Sequence, residues 1–315
     1  MSTRTILRGG VVVTADGQSR ADVVIEDDTI VALGTDIDAD GQVVDVTGCQ
    51  ILPGLVDSHT HLEMPTMGTV TADDFASGTI AAAVGGTTTV IDFAMQTDGS
   101  LLTGLETWKA NARDKAHIDY GFHMAVTDAS ASAIKEMADM VDEGVTSFKV
   151  FMAFKGSFMA DDQQLLRVLR RTGETGGLVQ VHAENGDAID LNVSDALSRG
   201  QTAPGMHATT RPESTEQEAT GRAIHLATWA KRPVFVVHVS AASAVREIQE
   251  ARMNGLPVFG ETCVHYLTLT EEELHRPGFD GAKYVCSPPL RHEHDQDVLW
   301  SALRQHDLQI VTTDH

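Results

Sequence analysis

The sequence predicts an α/β protein, a (β/α)8 barrel of the TIM type with a small β-sandwich-like domain ahead of it. Three observations carry that prediction. From Ile51 onward, short apolar runs alternate with stretches of helical spacing, the pattern of buried parallel strands covered by helices. Eight such runs fall within about 265 residues, which suits a closed barrel. Residues 1–50 instead hold only short β-branched runs.

The elements follow in order. Thr5–Thr14, Ala21–Leu33 (turning at Glu26-Asp27-Asp28) and Val43–Val46 read as hairpins of a small antiparallel sheet. Barrel strands are expected at Ile51–Val56, Thr87–Phe93, Ile118–Val126, Thr146–Met152, Leu178–Val181, Pro233–Val239, Pro257–Thr262 and Leu308–Thr313. Helices are expected at Leu101–Lys115, Ala131–Glu143, Gln163–Thr172, Glu216–Ala230 and Ala242–Asn254. A doubly wound sheet is the alternative, but no G-x-G-x-x-G follows the first barrel-type run. The division is thus 1–50, part of a composite β-domain, and 51–315, the barrel. The last run ends at Thr313-Asp314-His315 with no covering helix after it, so the barrel reads as C-terminally incomplete.

Composition narrows the function. The chain has 315 residues, 42% hydrophobic and 22% charged, as a globular protein should. A net charge of −22 repels phosphate backbones and anionic lipid, which argues against nucleic-acid and membrane partners. The weakly polar run Ile80–Met95 is interrupted by Gly85, Gly86 and Asp92, so no membrane span is expected. Met1–Asp16 lacks a signal peptide, and Cys49, Cys263 and Cys286 form no close pair, which together point to a cytoplasmic protein.

Chemistry gathers where the strands end. His59 and His61 lie two apart, so both side chains share one face of a strand. His182 with Glu184, then His238, then Asp314 close three further strands. Polar residues at the carboxyl ends of barrel strands meet in one active-site mouth. Lys149 sits inside the apolar run Thr146–Met152, where an unpaired ammonium is expensive. A neutral lysine amine can add carbon dioxide, and the resulting carbamate could bridge two divalent ions among the histidines. Such ions would share a hydroxide and polarise a carbonyl, with Asp314 taking the proton and returning it to a leaving nitrogen. Nitrogen and carboxylate donors without thiolates favour zinc, with manganese, cobalt or iron as alternatives.

The motifs G54-LVDSHTH-L62, Lys149-Val150-Phe151-Met152-Ala153, Val181-His182-Ala183-Glu184-Asn185 and Ser287-Pro288-Pro289-Leu290-Arg291 resemble the dihydropyrimidinase/hydantoinase branch of the cyclic amidohydrolases. So do Thr71–Phe75, Gly85–Thr88 and Gly260–Cys263, and the likeness runs through essentially the whole chain. The resemblance implies a metal-dependent barrel that opens a dihydropyrimidine or hydantoin ring through a metal-bridging hydroxide. It implies His59, His61 and Asp314 on one metal, His182 and His238 on the other, and Lys149 N6-carboxylated between them. Ser287 falls where relatives hold the substrate ring through the backbone, and a homo-oligomer, tetramer or dimer, is expected by analogy.

Departures qualify this. Phe154 stands where relatives carry a tyrosine whose phenol would donate to the oxyanion. Leu62, Glu63 and Met64 follow the H-x-H where dihydroorotase-like enzymes place an arginine, so a small neutral cyclic amide is the expected substrate. Met64, Met67, Phe151, Phe154 and Phe158 could wall its hydrophobic substituent. Cys263-Val264-His265-Tyr266 resembles allantoinase-like members, and a non-catalytic or truncated dihydropyrimidinase-like protein is a further alternative. Arg291-His292-Glu293-His294-Asp295 reads as a solvated loop, Ser58 has no nucleophile elbow, His117 and His123 read as packing or surface, and His315 receives no role.

Overall fold

The computed structural model describes residues 3–66 and 68–315, so Met67 lies outside the described residues. The chain divides into two compact units, through Leu55 and from Val56 onward. The first unit holds β1 (Arg4–Arg8), β2 (Val11–Thr14), β3 (Gly17–Arg20), β4 (Asp22–Glu26), β5 (Thr29–Gly34), β6 (Gln42–Asp45) and β7 (Gln50–Ile51). They form two sheets, β5-β4-β1-β6 and β3-β2-β7, rather than one antiparallel sheet. The β4–β5 and β2–β3 hairpins are antiparallel as expected, but β6 and β7 run parallel to β1 and β2. Short-range periodicity reveals hairpins and is blind to a strand that returns from later in the chain to pair in parallel.

In the second unit, β8 (Leu55–Thr60) is followed by a short hairpin, β9 (Pro65–Thr66) with β10 (Thr69–Val70). Then come β11 (Thr87–Met95), β12 (Asp119–Ala125), β13 (Ser147–Phe151), β14 (Leu178–His182), β15 (Val234–Val236), β16 (Val258–Cys263) and β17 (Ile310–Thr312). The eight-stranded sheet runs β8, then β11 to β17 in chain order, with parallel pairing from β11 onward. This is the (β/α)8 architecture. The first barrel strand is Leu55–Thr60 and not Ile51–Val56, because Ile51 pairs with Val12 in the small sheet. His59 therefore lies inside the strand, with His61 just past it.

The helices cover the strands. They are α1 (Phe75–Val84), α2 (Leu101–Ala112), α3 (Ala131–Asp142), α4 (Asp162–Thr175), α5 (Gly186–Ser198), α6 (Met206–Thr209), α7 (Glu213–Ala230), α8 (Ala242–Met253), α9 (Val264–Thr268) and α10 (Glu293–Arg304). Asp74 and Asp161 open α1 and α4 with capping boxes to Ser77 and Gln164. Phe148, Val150, Val179, Val181, Val234 and Val236 are buried in one cluster with Leu105, Met137, Leu165, Ala223 and Ile248 of the helices. Gly104 brings α2 onto β11 so closely that a Cβ there would stand 2.3 Å from the Met95 carbonyl oxygen.

At the seam between first and last strands, the Asp57 carboxylate accepts from Thr313 N at 3.2 Å and from the Thr313 hydroxyl. The His61 N–H donates to the His315 carbonyl at 2.6 Å. The segment expected as a solvated loop is corrected in part. His292, Glu293 and His294 are exposed, but Arg291 and Asp295 are buried and α10 begins at Glu293. Asp295 accepts from Ala242 N at 2.7 Å and from His292 N at 3.1 Å.

Candidate active site

The carboxyl ends of the strands bring the expected residues together. His59 Nε2, His61 Nε2 and Asp314 Oδ1 lie 3.1–3.2 Å from one another. Opposed lone pairs at that spacing are repulsive unless a proton or cation sits among them, so the trio fits a divalent ion. His182 Nδ1 and His238 Nε2 face each other at 3.0 Å and form a second donor pair.

Each group depends on a carboxylate behind it. Glu261, inside β16, bonds His59 Nδ1 and turns its Nε2 toward Asp314. Glu184 Oε2 lies 2.7 Å from His182 Nε2 and leaves Nδ1 free to bind. Carboxylates in this role fix the tautomer and strengthen the ligand. His61 Nδ1 and His238 Nδ1 are buried without a partner among the described residues.

Lys149 is 1% exposed, on β13. Its Nζ lies 4.6 Å from the Phe93 ring centroid and 5.3 Å from that of Phe151. Among the described residues no hydrogen bond or ion pair reaches this Nζ, whose close contacts are the two rings. Burial pulls its pKa down to about 8, against the attraction of Asp314 and Glu261. Burial likewise holds His61 at about 4 and His238 well below the usual imidazole range. For His59 burial works in the same direction, but Asp314 and Glu261 outweigh it and raise the imidazole to about 9. Burial would raise the Asp314 carboxyl, yet the imidazoles of His59 and His61 hold it well below the carboxylate range.

These groups open into a cavity of about 480 Å³. His61, Lys149, His182, His238 and Asp314 line it together with Met64, Phe151, Phe154, Phe158 and Ser287. The Phe154 ring centroid is 4.8 Å from that of His182. Phe154, His238 and Asp314 all have positive φ, at 68°, 41° and 53°. A side-chain-bearing residue adopts that region at a cost, and strain of this kind gathers at functional sites.

Among the residues set aside, His117 is exposed and His123 is buried. His123 bonds the Ser58 carbonyl at 3.0 Å and the Ser147 hydroxyl, a packing role. His315 pairs with Asp73 at the surface. The supporting acids Glu261 and Asp92 escaped the sequence reading. Asp92 takes hydrogen bonds from Thr60 Oγ1, Leu62 N and Trp108 Nε1 at 2.8–2.9 Å. Their signal was the one that exposed Lys149, a charged residue inside an otherwise apolar strand.

The chain belongs to the amidohydrolase family, whose profile matches residues 50–300. Membership implies a divalent metal, and the His59-His61-Asp314 group suits one. Within the family the chain is 53% identical to a D-hydantoinase of Streptomyces coelicolor, covering 100% of this chain and 69% of that protein. It is 50% identical to a D-hydantoinase of Geobacillus stearothermophilus, covering 98% and 66%. The crystal structure of dihydropyrimidinase from Brevibacillus agri NCHU1002 superposes with a TM-score of 0.97 at 52% identity, covering 100% of this chain and 68% of that one. The chain thus spans about two thirds of the length of these relatives.

Proposed function

We propose that this chain hydrolyses a ring C–N bond of a small neutral cyclic amide or imide, a hydantoin or dihydropyrimidine, in a binuclear metal site. The observation that carries the reading is Lys149, a buried amine with no hydrogen bond or ion pair among the described residues, beside two separate groups of metal donors. Its pKa of about 8 leaves a usable fraction neutral near pH 7, able to react with carbon dioxide. His59, His61 and Asp314 would hold one ion and His182 and His238 the other, with carboxylated Lys149 shared between them. Two divalent ions, zinc by donor chemistry or manganese, cobalt or iron, would supply activated water and a polarised ring carbonyl.

The protein's own groups do the rest. Ionised Asp314 accepts the proton of the attacking water and passes it to the departing ring nitrogen. Ser287 and the apolar side walls orient the ring, with Met64 and Phe154 against its substituent. The family likeness supports a homo-oligomer, dimer or tetramer, and the free cysteines Cys49, Cys263 and Cys286 accord with a cytoplasmic setting.

The test is elemental analysis and intact mass on protein purified without added metal, followed by ring-opening assays on hydantoin and dihydrouracil. About two ions per chain, an acid-labile carbon dioxide adduct and turnover are expected. Metal-loaded protein that opens neither ring would overturn the reading.

A further inference from the structure

We propose that His207 is a positioning residue: Arg211 holds it in one tautomer, and it pins the Cys286–Ser287 peptide so that the Ser287 N–H is presented to the substrate. The inference rests on the ring-hydrolysis reading. His207 sits in α6 and is not among the residues lining the catalytic cavity. Arg211 Nη1, which can only donate, lies 3.2 Å from His207 Nδ1. Nδ1 must therefore accept, which places the ring proton on Nε2. Burial holds the imidazole at about 4, so it is neutral at working pH.

That Nε2 lies 2.7 Å from the Cys286 carbonyl oxygen and 3.2 Å from Ser287 Oγ. The Cys286 carbonyl and the Ser287 N–H are opposite edges of one planar peptide. Fixing the carbonyl on His207 turns the N–H to the far side. Among the described residues this N–H has no hydrogen-bond partner, and Ser287 lines the cavity. Unpaired backbone donors away from bulk water are rare in finished folds, and one at a cavity wall suits a ligand oxygen.

The same loop is braced at its other end. Tyr266 Oη donates to the Pro288 carbonyl at 2.6 Å, and Arg291 Nη2 lies 3.0 Å from Glu216 Oε2. Arg291 Nη1 also donates to the Arg211 carbonyl at 2.7 Å. Arg211 thus takes part at both ends of the loop, through its side chain to His207 and through its backbone to Arg291.

The test combines steady-state kinetics on hydantoin with ¹⁵N NMR of the histidines in wild type, His207→Ala, His207→Gln and Arg211→Met. His207→Ala should raise KM roughly ten- to a hundred-fold with kcat within a few-fold, because ring binding is lost equally in ground and transition states. His207→Gln, which keeps a donor near Nε2, should recover most of the affinity. Wild type should show an Nε2-protonated His207, and Arg211→Met a mixture of tautomers. A fall in kcat at unchanged KM, tracking loss of folded protein, would reduce His207 to a structural role and sink the proposal. An Nδ1-protonated wild-type ring would also overturn it, even if His207→Ala does not fold. Wild type that opens neither hydantoin nor dihydrouracil defeats the hydrolysis reading instead, while the tautomer still decides whether the clamp exists.

Discussion

Single side chains set the chemistry of this site through the partners that orient them. Glu261 touches no cavity space, yet its bond to His59 Nδ1 decides which nitrogen points at Asp314. Glu261→Gln should lower affinity for the first metal by roughly 10–100-fold, measured by chelator competition, with secondary structure unchanged. Phe154 is the complementary case, an apolar ring in the wall where relatives are expected to carry a phenol. Phe154→Tyr should raise kcat, by as much as about 10²-fold if the added hydroxyl reaches the developing oxyanion. An unchanged kcat would show that the oxyanion needs no donor from this position. The candidate ligands were legible in the sequence: His182, His238 and Asp314 close apolar runs, His59 and His61 lie two apart, and Lys149 is a charge inside an apolar run. Glu261 and Asp92 carry the same mid-strand signal as Lys149, but the groups they support are distant in sequence and only the fold reveals them. His207 was illegible for another reason. Its partners Cys286 and Ser287 are about 80 residues away, a separation no local pattern encodes.

At the level of elements, much of the strand–helix rhythm was legible from spacing. The helices α2, α3, α4, α7 and α8 all fall where spacing places them. Among those that escaped, α1 lacks contrast between its faces. The α1 sequence FASGTIAAAV is nearly uniform in polarity, so its signal lies in the Asp74–Ser77 capping box rather than in periodicity. The start of α10 was hidden in the charged run 291–295, whose two buried members, Arg291 and Asp295, hold the loop and the helix start in place. The join of α2 to β11 offers a test at this scale. Gly104→Ala drives a methyl group against the Met95 backbone, which cannot swing aside as a side chain would. The variant should lose about 1–3 kcal/mol, read as a lower denaturant midpoint.

Across the whole molecule, buried ionisable groups link stability to pH. Burial depresses His61 to about 4, His123 to about 3 and His207 to about 4, and holds His238 well below its usual value. The unfolded chain takes up protons on these imidazoles near 6.5 and the fold does not, so stability is lost as pH falls below that value. Asp92, raised to about 6 by burial, works the other way between 3.8 and 6, and so does His59, raised to about 9, between 6.5 and 9, but they are two groups against four. The denaturant midpoint of the metal-free protein should therefore drop between pH 7 and pH 5, and His123→Gln should flatten the slope. The barrel seam adds a consequence of another kind. His59 and His61 belong to the first strand and Asp314 follows the last, while Asp57 and Thr313 are 256 residues apart along the chain. An ion gripped by that trio is a cross-link closing nearly the whole barrel into a single ring, and it restricts the loosened chain as a long-range disulfide does. Chelation should then lower the melting temperature and let the two ends of the barrel exchange amide hydrogens sooner than its middle strands. The atom that makes the chemistry possible would also be the buckle on the belt.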